Sequence, residues 1–163
     1  MIARQARQGE TVSTIWLSEC GAYRYRLRQV WGKGAWLTAV LLNPSTATEA
    51  AGDATLARVA RRARAAGFGG VEMLNLYALR GRDPGVLRRA ADPAGPGNAA
   101  VLAAAGPVVL CGWGNGGLTA GRGVAAMLRA GGRRMLCLGL TRRGAPLHPL
   151  YVPGAQGMED WDG

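Results

Sequence analysis

Histidine occurs once in this chain, at position 148, lysine once, at 33, and phenylalanine once, at 68. One histidine and three cysteines (Cys20, Cys111, Cys137), none in C-x-x-C spacing, argue against a zinc or iron–sulfur site. An odd, dispersed set of thiols fits a reducing compartment. No apolar run reaches membrane-spanning length; the longest, 99–111, is broken by Gly106 and Pro107. Arg4 and Arg7 are not followed by the apolar stretch of a signal peptide. A cytoplasmic protein without metal or cofactor, and monomeric, is the expectation.

Acids are also scarce. Ten Asp and Glu face twenty basic residues, nineteen of them Arg, giving a net charge of +10. Glu159, Asp160 and Asp162 sit in the last five residues, so the body is more basic than the total. Arginine grips phosphate bidentately and stacks on bases. A polyanion, DNA above all, is the expected partner. Coding bias gives the same richness in Arg, Ala and Gly, and is the alternative. The 163 residues, 48% hydrophobic, suffice for one domain with a real core.

Residues 11–18 and 23–30 read as strands, the second alternating Tyr23, Tyr25 and Leu27 with Arg24, Arg26 and Arg28. The almost unbroken apolar run 35–42 reads as a strand buried on both faces. A helix over 53–66 follows, with Asp53 as N-cap, Arg58, Arg61, Arg62 and Arg64 on its surface, and Gly67 at its end. Strands over 71–76, 108–112 and 135–139 alternate with helices over 86–91, 98–105 and 118–130. Four such alternations predict an α/β fold: one three-layer α/β/α domain on a central, mainly parallel four-stranded sheet, plus an N-terminal antiparallel hairpin. The core is placed at 36–152, with an acidic, frayed tail over 153–163.

Four short segments follow these strands in order: Leu42-Asn43-Pro44-Ser45, Leu74-Asn75-Leu76-Tyr77, Cys111-Gly112-Trp113-Gly114 and His148-Pro149-Leu150-Tyr151. Ligands of open α/β sheets bind at the carboxyl ends of strands. Asn43 can hold a water through its carbonyl oxygen, or merely close a strand end with Ser45 and Thr46 in a turn. Asn75, inside an apolar segment, needs partners, which a ligand edge or the local backbone can supply. His148 precedes Pro149, which holds its backbone extended. A lone histidine is more often structural than catalytic. Gly112 to Gly117 formally match G-x-G-x-x-G, but Arg133 and Arg134 stand where a ribose-binding acid belongs.

Together these segments resemble the uracil-DNA glycosylase superfamily over about residues 36–152. Leu42-Asn43-Pro44 looks like the Asn-Pro form of its first motif. Residues 71–75 look like the strand whose Asn reads the flipped base. Val108-Val109-Leu110-Cys111-Gly112-Trp113-Gly114 is similar to its apolar strand ending in Trp-Gly. His148-Pro149-Leu150-Tyr151 resembles its His-Pro motif. At closer range, Leu-Asn-Pro-Ser-Thr-Ala and His-Pro-Leu-Tyr resemble a family of small bacterial and phage proteins of unassigned function. The chain departs from uracil-specific members in carrying Ser45 and Thr46 where a Tyr blocks C5, and it lacks the first motif's Asp.

The resemblance implies a DNA glycosylase that cleaves the N-glycosidic bond of a flipped pyrimidine. Asn43 would place the water and His148 would stabilise the departing base. Asn75, Ser45, Thr46 and Tyr77 would surround the base. Pro44, Arg80, Gly114, Asn115, Arg142, Arg143, Pro149, Leu150 and Tyr151 would contact the DNA. Small residues at 45 and 46 favour a 5-substituted cytosine, such as a hydroxymethylated or glucosylated phage base, over uracil. Anti-phage defence or base-excision repair would be the role. Two other classes stand beside it: a non-catalytic nucleic-acid binding module, for which charge suffices, and a nucleotide-binding oxidoreductase built on Gly112 to Gly117.

Overall fold

A computed structural model describes residues 1–45, 47–81 and 84–163. The strands are β1 (Ile2–Gln8), β2 (Thr11–Leu17), β3 (Arg24–Val30), β4 (Trp36–Leu41), β5 (Gly70–Asn75), β6 (Val108–Gly112), β7 (Arg134–Cys137) and β8 (Glu159–Asp160). The helices are α1 (Ala54–Ala65), α2 (Pro84–Arg89), α3 (Asn98–Ala103) and α4 (Leu118–Ala130). All eight strands form one sheet in the order β1-β2-β3-β5-β4-β6-β7-β8.

This corrects the expected fold class. The sheet is mixed and eight-stranded, not a mainly parallel four-stranded sheet, and few residues are helical. Four of its seven neighbouring pairs, β1–β2, β2–β3, β3–β5 and β7–β8, are antiparallel among the described residues. The N-terminal strands are not a separate hairpin, because β3 pairs with β5, Leu27 opposite Met73, and carries them into the sheet. Strand β1, all polar but for Ile2, Ala3 and Ala6, is an almost fully exposed edge, so no apolar alternation announces it. The tail beyond 153 also differs from expectation: β8 pairs with β7, and the Trp161 ring meets Trp113 edge to face at 5.6 Å.

Strand alternation sorts the core onto two faces. Leu37, Ala39, Leu41, Val71 and Met73 pack with Leu56, Val59 and Ala63 of α1. Val40, Leu74, Val109 and Cys111 pack with Val101 and Leu102 of α3 and Ala125 and Leu128 of α4. Asp53 caps α1 as expected, its Oδ1 accepting from the Leu56 N–H at 2.8 Å.

The arginines of α1 do not simply coat its surface. Arg62 is 5% exposed, and its Nε and Nη2 donate to the carbonyls of Gln156 and Pro153. Arg58 donates to the Val152 carbonyl. These bonds satisfy backbone oxygens and strap residues 152–156 onto α1, which holds the preceding His148 segment in place.

No helix among the described residues is long and apolar enough to cross a membrane.

Candidate functional site

Strand β4 lies between β5 and β6, parallel to both, and the chain crosses from β5 over β4 to reach β6. Such a reversal opens a crevice at the strands' carboxyl ends. Asn43, Pro44 and Ser45 leave β4 at this point. The His148 segment returns to it as a 3-10 turn, Pro149–Tyr151, seated on α1.

An open depression of about 540 Å³ results, lined by Asn43, Pro44, Ser45, Asp53, Gly81, His148 and Leu150, with Ala54 and Thr55 from the first turn of α1. The structure thus brings Asn43, Pro44, Ser45, His148 and Leu150 together. Asn43 Nδ2 donates to the Gly81 carbonyl at 3.0 Å, which leaves its Oδ1 as an open acceptor. His148 Nδ1 accepts from the Leu150 N–H at 3.2 Å, so the proton of the neutral ring sits on Nε2. Burial pushes the His148 pKa down, and the Asp53 charge opposes that shift. The imidazole is therefore kept neutral, with one N–H to give.

Asp53, the N-cap of α1, also lines the depression. Its Oδ2 is buried and has no hydrogen-bond partner. Three further buried polar atoms are in the same state, one of them Asn98 Oδ1 on α3, which does not line the depression. Arg24, 3% exposed, donates through Nη1 to the Ala47 carbonyl at 2.8 Å, but its Nε is unpartnered. Burial pulls the Arg24 pKa down to about 10, and Asp53 again opposes the shift. Asn75, 2% exposed, leaves Nδ2 unpartnered. Alternation after Val71 and Met73 turns Asn75 toward the α1 face, where Ala47 also packs. Each such atom costs about 1–3 kcal/mol unless something binds it. The position of Arg24 in an alternating Arg strand carried no signal of this, because a strand bulge between Trp16 and Leu17 shifts its register.

The remaining expected residues lie elsewhere, except Thr46, which falls outside the described residues. Tyr77 lines a separate cavity of about 280 Å³ with Leu42, Leu87 and Arg88. Arg80 is exposed and donates to the Gly21 carbonyl. Gly114 donates its N–H to the Pro146 carbonyl at 2.8 Å, and Asn115 Oδ1 accepts from the Thr141 hydroxyl at 2.7 Å. Arg142 is exposed, and Pro149 is buried. Tyr151 is 81% exposed, its ring centre 5.9 Å from that of His148. Arg143 belongs to a second cavity described below.

The glycines after β6 have a packing role. A Cβ at Gly117 or Gly121 would run into the Trp113 ring, so both positions form the slot that holds it. This accounts for Gly117 of the Gly-rich run without a pyrophosphate.

No curated protein and no solved structure matches the chain. The model of a family described as "Protein of unknown function (DUF1643)" matches residues 24–150, a span that includes every residue lining the depression. The chain belongs to that family.

Proposed function

We propose that the depression cleaves an N-glycosidic bond in DNA, releasing a pyrimidine base. The observation that carries this reading is the meeting of Asn43, Ser45, Asp53 and His148 around one depression. The target nucleotide leaves the stack and enters it, at a cost of a few kcal/mol. The C1′–N1 bond breaks and its electron pair leaves with the base. His148 Nε2–H then donates to the base O2, where negative charge grows, as a preorganised oxyanion donor. The sugar turns cationic, as in other glycosidic cleavages. The Asp53 carboxylate sets negative charge beside it, and opposite charges attract. A water accepted by Asn43 Oδ1 adds to C1′, and its proton ends on the departed base.

An unpartnered polar atom supports the same reading. Asp53, which lines the depression, holds an acceptor, Oδ2, without a partner, and the donors Asn75 Nδ2 and Arg24 Nε lie buried without a partner and outside that lining. Ser45 leaves room at C5, which favours a 5-substituted cytosine over uracil.

The test incubates the protein with DNAs carrying uracil, 5-hydroxymethylcytosine or glucosylated 5-hydroxymethylcytosine, then adds alkali. Strand breaks at the modified position are expected. If all three DNAs stay intact, the reading is wrong.

A further inference from the structure

The second cavity holds about 420 Å³ and opens at the other side of the residues 145–148 loop. Its apolar wall is Trp113, Ala125, Ala145 and Pro146, with Trp161 brought in by the tail. Its rim carries Arg122, Arg129 and Arg143, and no carboxylate side chain lines it among the described residues. Arg129 is occupied, its Nε donating to the Asp162 carbonyl at 2.8 Å. The side chains of Arg122 and Arg143 are exposed and have no hydrogen-bond or ion-pair partner among the described residues. Two guanidinium groups without a side-chain partner, beside a half-buried indole and next to Gly163 in the lining, suit an anion attached to a flat ring.

The cavity is close to the depression. Pro146 lines one and His148 the other, and two residues span at most about 7 Å of chain. We propose that this cavity binds a neighbouring nucleotide of the same DNA strand, with a phosphate on Arg122 and Arg143 and a base against Trp161. The inference rests on the glycosylase reading for the choice of strand. The recognised chemistry, a phosphoryl group with a base, is shared with free nucleotides.

The experiment follows tryptophan fluorescence of the whole protein while a short single-stranded oligonucleotide, a mononucleotide or inorganic phosphate is added. The oligonucleotide should change the emission, and Trp161→Phe should remove most of that change while binding persists. Arg122→Ala and Arg143→Ala should each weaken oligonucleotide binding and lower the salt slope by about one. Arg4→Ala, on β1 at the far end of the sheet, serves as the control for plain charge loss. Equal effects of Arg4→Ala and the two cavity variants overturn the proposal. So does a mononucleotide that binds as tightly as the oligonucleotide, since the occupant is then a free nucleotide. Binding at the cavity by a protein that excises no base keeps the site and rejects the glycosylase reading. Excision that is indifferent to both cavity variants does the reverse.

Discussion

The N-terminal strands and the carboxyl ends of β4 and β5 both place arginine near a carboxylate, but only one of them satisfies it. On the N-terminal side, Glu72 accepts from Arg28 Nη2 at 2.7 Å and from Arg26 Nη1 at 3.3 Å. The Arg28 guanidinium also lies over the Trp36 ring at 4.0 Å and the Trp16 ring at 5.2 Å. Each charge of this cluster has a partner, and the cluster joins β2, β3, β4 and β5. At the strand ends, Arg24 Nε, Asp53 Oδ2 and Asn75 Nδ2 are buried and unpaired. Folding gains nothing from that state. Paired polar groups hold the sheet together, and the unpaired acceptor of Asp53 faces the region where the proposed ligand would bind.

The comparison breaks most sharply at His148. His148→Ala should slow base excision by about 100- to 1,000-fold, the usual loss of one oxyanion donor. DNA affinity should stay close to the parent's, since the proposed binding rests on arginine. A filter-binding titration beside single-turnover rates separates the two, and thermal unfolding confirms that the variant is folded. A parental rate would make His148 structural.

Glu72→Ala should do the opposite. It strands two partly buried guanidinium groups and should cost about 3 kcal/mol of stability, the lower end for breaking a buried pair. Excision per folded molecule should hold. A denaturant midpoint unchanged by this substitution would mean that the paired cluster is not what fastens the N-terminal strands.

Asp53→Asn sharpens the contrast, because Asn caps a helix as well as Asp does. Stability should change little, while excision should fall about tenfold, or about 1.4 kcal/mol of barrier. The pH profile gives a second readout. Burial lowers the His148 pKa in the folded protein, so the ring stays neutral below its usual value of about 6.5. Excision should therefore persist through that pH and fail only further into acid, where protonation deprives the Leu150 N–H of its acceptor. Asp53 opposes the lowering, so Asp53→Asn should move the acid limb further down. By the same sign, the stability tied to His148 is present above about 6.5 and lost as pH falls toward its folded value. An acid limb unmoved in the variant would separate Asp53 from His148.

The smallest effect is expected at Ser45. Ser45→Tyr should reduce excision of C5-substituted pyrimidines more than that of uracil, through steric rejection. Equal losses on substrates that differ only at C5 would show that Ser45 does not face that position.

Local signals in the sequence were sound where one element decided the outcome. Apolar runs located β4 and β6, Asp53 capped α1, and the Asn-Pro and His-Pro segments line one depression, although His148 follows a loop rather than a strand. Sheet membership was not legible. It depends on β3 choosing β5 as its neighbour and on a two-residue strand from a polar tail, and neither choice leaves a periodic trace. The unpaired set was hidden for a similar reason. Arg24 looks like any exposed arginine of an alternating strand, and Asp53 looks like a cap. Only three-dimensional packing shows that each has one polar atom with nothing to bind.

The most direct measurement of the central claim counts products. DNA carrying glucosylated or plain 5-hydroxymethylcytosine is incubated with the protein, and free base is quantified by mass spectrometry against abasic sites on the strand. Equal amounts of the two, formed by the parent and nearly absent with His148→Ala, are the expected result. No free base from these DNAs or from uracil-containing DNA, with a folded protein that binds them, would contradict it.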